Sequence, residues 1–186
     1  VPIDENHPLQ PQSPYSASKI AADSMAMSFY NSFDLPLTIA RPFNTYGPRM
    51  RLNDGRVIPA FIGQALRGED ITIFGTGEQT RSFCYVDDQV EGIYRLLHSD
   101  YSYPVNIGNP NEMTILELAN EIISLLKSKS NIIFQELPID DPKVRQPDIS
   151  KAKLILGWIP LVDREVGLAK TIKYFKKIQF LRWFAV

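Results

Sequence analysis

Ser13-Pro14-Tyr15-Ser16-Ala17-Ser18-Lys19 reads as the start of a helix. Serine is a strong N-cap and proline fits the first helical position, where no N–H is needed. The helix is expected to run to about Phe33, with Leu35-Pro36 stopping it. Leu37-Thr38-Ile39-Ala40 follows, short, apolar and partly β-branched, as a buried strand is. A stripe of Ala21, Met25, Ser28 and Phe29 is predicted to lay the helix on a sheet. Tyr15 and Lys19, four residues apart, share one face. A phenol ordinarily ionises near pH ~10, and an ammonium held beside it favours the phenolate. The pair is therefore a candidate base with an electrostatic helper; the other reading is an exposed Tyr and Lys on an ordinary helix.

The rest of the chain repeats the helix–strand alternation, which defines an α/β protein. Arg41-Pro42-Phe43-Asn44-Thr45-Tyr46-Gly47-Pro48-Arg49 leaves the first strand. Ligands of open α/β sheets bind just past the C-terminal strand ends, so Asn44 and Thr45 are placed to reach one. The basic loop 50–56 leads to a helix over about 58–67, with Gly68 closing it. Strands are predicted at 71–74 and 81–86, separated by the Gly75-Thr76-Gly77 turn. Asp87 or Asp88 is read as the cap of a helix reaching about Leu97. Val105–Gly108 is a further strand, and Thr114-Ile115-Leu116-Glu117 is a capping box for a helix to about Lys127. Ile132-Ile133-Phe134 is the last strand, followed by a polar loop, 138–147, holding Asp140, Asp141, Lys143 and Arg145. Asp148 is read as capping a short helix, 149–156, that Gly157 ends; a final helix spans about 164–177. The apolar tail 180–186 is read as an atypical end that must dock somewhere.

The 186 residues are 44% hydrophobic and 22% charged, an ordinary globular balance sufficient for a real core. A net charge of −1 argues against nucleic acid as the main partner. Cys84 is the only cysteine, so there is no internal disulfide or thiolate cluster, which fits a cytoplasmic, reducing setting. With only His7 and His98, a histidine metal site or Ser-His-Asp triad has little material, and no metal is expected. No apolar run is long enough to span a membrane.

Four motifs taken together, Tyr15-Ser-Ala-Ser-Lys19, Arg41-Pro-Phe-Asn-Thr-Tyr-Gly-Pro-Arg49, Arg81-Ser-Phe-Cys-Tyr-Val-Asp87 and Arg145-Gln-Pro-Asp148, resemble the extended short-chain dehydrogenase/reductase family. The likeness is to its nucleotide-sugar epimerases, dehydratases and decarboxylases, and runs from Pro2 to about Gln179. From Asn44 to Phe175 it is closest to the UDP-glucuronate decarboxylase branch, through 48–57, 79–88 and 140–148. Residues 1–49 are more similar to a UDP-N-acetylglucosamine 4,6-dehydratase type: Ser16-Ala17-Ser18 stands where decarboxylases usually carry x-Glu-Gly. The resemblance implies the C-terminal part of a Rossmann-like parallel sheet plus a small α/β substrate-binding lobe. Residues 1–50 and 80–108 would be the sheet remainder, 51–79 and 109–177 the lobe, and 178–186 the tail. No GxxGxxG follows a strand, so the dinucleotide-binding N-terminal half is expected to be missing and the chain to be inactive alone.

The resemblance also implies roles. Tyr15 would take the 4-hydroxyl proton of a UDP-sugar as NAD is reduced. Lys19 would support Tyr15 and bind the nicotinamide ribose. Thr45 and Arg56 would touch the cofactor, Asn44 the diphosphate, and Arg81 the diphosphate or ribose. Arg145 would stand near the sugar carboxylate as a candidate proton donor. The implied reaction is NAD-dependent decarboxylation of UDP-glucuronate to UDP-xylose by a homodimer assembled through the helices at 13–33 and 86–97. A 4,6-dehydratase, a 4-epimerase, and a non-catalytic sugar-nucleotide-binding or dimerisation remnant stay open as alternatives.

Overall fold

The computed structural model describes residues 1–52, 54–136 and 145–183, with side chains as far as 178. Asp140, Asp141 and Lys143 of the polar loop, and the last three residues, lie outside the described residues. Helix α1 spans Pro14–Phe33. A Ser13–Ser16 capping box starts it, and Asp34, in the left-handed region at φ 50°, ends it by donating its N–H to Tyr30 O. Strand β1, Ile39–Pro42, then pairs in parallel with β6, Pro104–Ile107, bringing Arg41 opposite Asn106.

Beyond β1, β2 (Thr45–Tyr46) pairs in parallel with β5 (Cys84–Tyr85). Helix α2, Val57–Arg67, closes on Gly68 at φ 72°. β3 (Ile71–Phe74) pairs in parallel with β8 (Ile132–Gln135), and β4 (Thr80–Ser82) antiparallel with β7 (Glu112–Thr114). The expected single strand at 81–86 is thus two: the chain changes partner at Phe83. Helix α3 covers Val86–Leu97 and α4 covers Ile115–Leu126, the latter started by the predicted Thr114–Glu117 box. Helices α5, Ser150–Leu156, and α6, Arg164–Trp183, complete the fold; α6 extends well past the expected end near 177.

Two apolar clusters hold these elements. The larger gathers Ile62 of α2, Ile71 and Ile73 of β3, Leu118 and Ile122 of α4 and Leu168 of α6, all fully buried. The smaller packs Trp158 against Leu96, Val105, Ile107 and Ala152. Trp158 Nε1 donates to Asp88 O (3.1 Å), and the Asp88 carboxylate accepts from Val162 N (2.9 Å). Asp88 is therefore a buried tie to the α5–α6 link rather than a cap. The residue before α3, Tyr85, makes no side-chain cap bond. Asp148 does accept from Ser150 N (2.7 Å), one residue ahead of the N-cap Ile149.

The apolar stripe predicted for α1 faces outward: Met25 is 61% exposed and Phe29 48%. The inward face is Ile20, Asp23, Met27 and Tyr30, each half-buried. A polar contact lies on this inward face. Arg41 of β1 donates from Nε and Nη2 to Asp23 Oδ2, at 2.9 and 2.5 Å. Among the described residues no helix is long and apolar enough to cross a membrane.

Candidate active site

Asn44, Ser82 and the backbone of Arg145 meet past the end of β1. Asn44, two residues past β1, donates from Nδ2 to Ser82 O (3.3 Å), while its own carbonyl accepts from Cys84 N (2.8 Å). Ser82 Oγ donates to Arg145 O (3.2 Å). Arg81, next to Ser82 on β4, is only 9% exposed and donates from Nη1 to Thr80 O (2.8 Å). Ser82, the neighbour of Arg81, thus links the Asn44 side chain to the backbone carbonyl of Arg145. Arg145 itself is exposed. The segment carrying it is strapped to the chain start by the Ile3–Pro147 bridge and by Ile3 N donating to Gln146 O (2.8 Å). Gly108 leaves room for this strap: a Cβ there would lie 2.8 Å from Phe43 Cβ and 3.1 Å from Pro147 Cγ.

Tyr15 and Lys19 stand on the first turns of α1. Tyr15 is 71% exposed, and Lys19 Nζ lies 5.6 Å from its ring centroid. Neither side chain makes a hydrogen bond among the described residues, so both offer their polar atoms to solvent or a ligand. Thr45 is held differently. Its hydroxyl lies 3.0 Å from Phe43 O and 3.2 Å from Oε1 of the buried Gln89, whose Nε2 donates to Ile107 O (3.1 Å). Arg56 is exposed and is held by Asp54, 3.4 Å away, and no contact among the described residues joins it to Tyr15 or Thr45.

Other acid–base candidates are quiet. Burial, reinforced by Asp88, pushes the Cys84 thiol up to about 12, which leaves it protonated and inert at neutral pH. Burial, then the nearby Glu121, raises the Tyr46 phenol, whose hydroxyl donates to Arg164 O (3.2 Å). His98 only packs on Tyr94. No cluster of three or more metal-ligating side chains occurs among the described residues.

Sequence reasoning missed Gln89, Glu5, Asp23 and Arg41. The signal for Arg41 was present: a guanidinium directly after the apolar Leu37–Ala40 run needs an internal partner. Parallel pairing of β1 with β6, with Asn44 past the end of β1 and an exposed Tyr15–Lys19 pair on α1, is an α/β arrangement, and open α/β sheets take their ligands past the strand ends.

The chain belongs to the NAD dependent epimerase/dehydratase family, whose pattern matches residues 1–108. UDP-glucuronic acid decarboxylase 1 of Danio rerio is 49% identical over 171 residues, 92% of this chain and 41% of that protein. UDP-glucuronic acid decarboxylase 6 of Arabidopsis thaliana is 48% identical over 162 residues, 87% of this chain and 47% of that protein. The chain therefore spans less than half the length of these curated relatives. The crystal structure of UDP-glucose 4-epimerase from Thermotoga maritima, with UDP-glucose, matches at a TM-score of 0.92 and 31% identity, covering 96% of this chain and 58% of that one. UDP-glucuronic acid 4-epimerase from Bacillus cereus, in complex with UDP-glucuronic acid and NAD, matches at 0.88 and 30%, covering 95% and 56%.

Proposed function

We propose that the protein carrying this chain decarboxylates UDP-glucuronate to UDP-xylose through a 4-keto sugar, with NAD as cofactor. The observation that carries the reading is the link through Ser82, which ties the Asn44 side chain and the backbone of Arg145 to the strand bearing Arg81, together with the exposed, unbonded Tyr15–Lys19 pair on α1. The decarboxylase relatives support it.

The residues present suit one part of the cofactor. The Tyr15 hydroxyl and Lys19 ammonium, without hydrogen bonds of their own, suit the nicotinamide ribose, whereas the sequence holds no glycine-rich turn for the pyrophosphate. NAD, when bound, supplies reversible hydride acceptance at the sugar C4. Tyr15 takes the proton of the 4-hydroxyl, and Lys19 favours the resulting phenolate by its charge. Asn44 and Arg81 hold the nucleotide diphosphate, for which a guanidinium fork is suited. Thr45 and Arg56 would contact the cofactor in this reading. With C4 a ketone, the C5 carboxylate is β to a carbonyl. The C5–C6 bond breaks, CO₂ leaves, and the electron pair is held as the enolate across C5, C4 and O4. Arg145 would stand near the carboxylate; C5 takes up a proton to give the 4-keto pentose, and reversal of the hydride transfer, with Tyr15 returning its proton to O4, gives UDP-xylose.

The exposed Met25, Phe29 and Phe33 of α1, with Val90, Tyr94 and Leu97 of α3, support a homodimer. The buried lone thiol is compatible with a cytoplasmic setting. A second reading, 4,6-dehydration or 4-epimerisation, has its support in the dehydratase-like Ser16-Ala17-Ser18 and the epimerase neighbours. Chromatography with mass spectrometry of the products from UDP-glucuronate and from a UDP-hexose separates them, an epimer being told from its equal-mass substrate by retention. UDP-xylose or its 4-keto pentose is expected; an epimerised uronate, or a 4-keto-6-deoxy product from a UDP-hexose, refutes decarboxylation.

A further inference from the structure

One guanidinium holds both flanks of the Tyr15–Lys19 turn. Arg41 donates from Nε and Nη2 to Asp23 Oδ2, downstream of Lys19, and from Nη1 to the carbonyl of Glu5 (2.8 Å), upstream of Tyr15. Glu5 is itself locked. Its side chain is 6% exposed, Oε1 accepts from Asn106 N of β6 (2.8 Å), and Oε2 lies 3.6 Å from Lys151 Nζ. Arg41 is meanwhile fixed by its strand, in register with Asn106.

The axial distances agree. Helix α1 returns into β1 through the short link 34–38, so the two run in opposite senses. From Asp23 back to Tyr15 is eight helical residues, about 12 Å. From Arg41 forward to Thr45 is four residues, about 13 Å at the rise of a strand. A contact at Asp23–Arg41 therefore sets Tyr15 level with Asn44 and Thr45.

Asp23 is an odd choice if stability alone mattered. Its side chain is 13% exposed, one oxygen serves Arg41, and the other, Oδ1, is out of solvent with no partner among the described residues. A half-satisfied, largely buried ion pair is weak support for a fold, and an apolar pair of the same size would do as well or better. It does fix direction and depth, because the planar guanidinium fork accepts few geometries.

We infer that Asp23 and Arg41 are positioning residues, which set the height of Tyr15 and Lys19 against the substrate-holding residues past β1. The inference rests on the proton-handling role proposed for Tyr15. In the native protein, Asp23→Asn is expected to lower kcat roughly tenfold or more, since misplacement by an ångström is costly to reaction geometry. UDP affinity by calorimetry should stay within about twofold, and the thermal midpoint within about 3 °C. Asp23→Glu, which keeps the carboxylate, should restore kcat. Arg41→Lys, whose single ammonium cannot hold Asp23 and the Glu5 carbonyl as a fork does, should behave like Asp23→Asn and carries the test if that variant does not fold. Amide exchange at 14–19 should quicken in both while 57–74 is unchanged. Full kcat in both variants overturns the inference, as does a loss that Asp23→Glu does not restore or that UDP affinity shares equally. A native protein that decarboxylates nothing sinks the proposed function instead, and exchange at 14–19 then decides the pinning by itself: unchanged exchange refutes it.

Discussion

Replacing Tyr15 by Phe in the native protein removes one oxygen and little else. The ring is 71% exposed, its hydroxyl makes no hydrogen bond among the described residues, and the Lys19 ammonium sits 5.6 Å from the ring centroid rather than depending on the hydroxyl. Surface changes of this kind shift stability by no more than about 0.5 kcal/mol. UDP binding should be equally untouched, because the residues proposed to hold the nucleotide are Asn44 and Arg81. The rate should fall by about 10²–10⁴, the usual contribution of a positioned general base. That is about 2.7–5.4 kcal/mol on the barrier. A several-kcal/mol loss in catalysis with almost none in folding or binding is the mark of a group that works only in the reaction. Steady-state turnover of UDP-glucuronate, calorimetry with UDP and thermal unfolding on the same preparation measure all three. Unchanged turnover would leave Tyr15 as an exposed tyrosine on a helix. A loss of UDP affinity matching the loss of rate would remove the base assignment.

Arg81→Ala is expected to do the reverse, weakening UDP binding by about 10–150-fold, the worth of one charge-assisted hydrogen bond, while kcat at saturation changes far less. Calorimetry beside saturation kinetics checks it, and intact UDP affinity would exclude Arg81 from the nucleotide site. Glu117 gives a pH test on the chain itself. Its carboxyl is held below the ordinary 4.5 by the Thr114 backbone N–H and then by the Thr114 hydroxyl. The unfolded chain thus takes up that proton at higher pH than the folded one, so the stabilisation is full above 4.5 and is lost as pH falls through the lowered folded value. The capping box is worth about 1 kcal/mol at most at so exposed a site. Glu117→Gln should flatten this part of the acid limb in urea titrations at pH 7 and pH 3.5, leaving the same-signed contribution of Asp148, which the Ser150 hydroxyl and N–H hold low. An unchanged acid limb would refute it.

What could be read beforehand was what short-range chemistry fixes. Ser13-Pro14, Thr114 with Glu117, Gly68 and Gly157 mark helix ends by rules that act within four residues, and the ends fall there. The strand–loop reading of Asn44 and Thr45 held in outline for the same reason, although Thr45 itself belongs to the short β2. What escaped depends on partners distant in sequence. Nothing near Phe83 says that β4 turns to β7 while β5 turns to β2. Asp88 looks like a cap until Val162 and Trp158, more than a helix away, arrive to use it. Met25 and Phe29 turn outward while Asp23 turns in to Arg41, a charge on another element that the spacing of apolar residues along α1 does not announce.

The pairing of β1 with β6 and of β3 with β8 has a consequence for how the chain reaches this state. Ile39 meets Pro104, and Ile71 meets Ile132. Each contact closes a loop of about sixty residues before a single ladder bond forms, at an entropic cost that grows only slowly with length but is met early. Parallel strands so separated are slow to find one another. While they search, the β-branched segments 37–40 and 71–73 remain bare to any other strand of like composition, a neighbouring chain's included. Refolding should therefore grow less efficient as protein concentration rises, and α1 and α4, with their local capping boxes, should be in place well before the strands they flank.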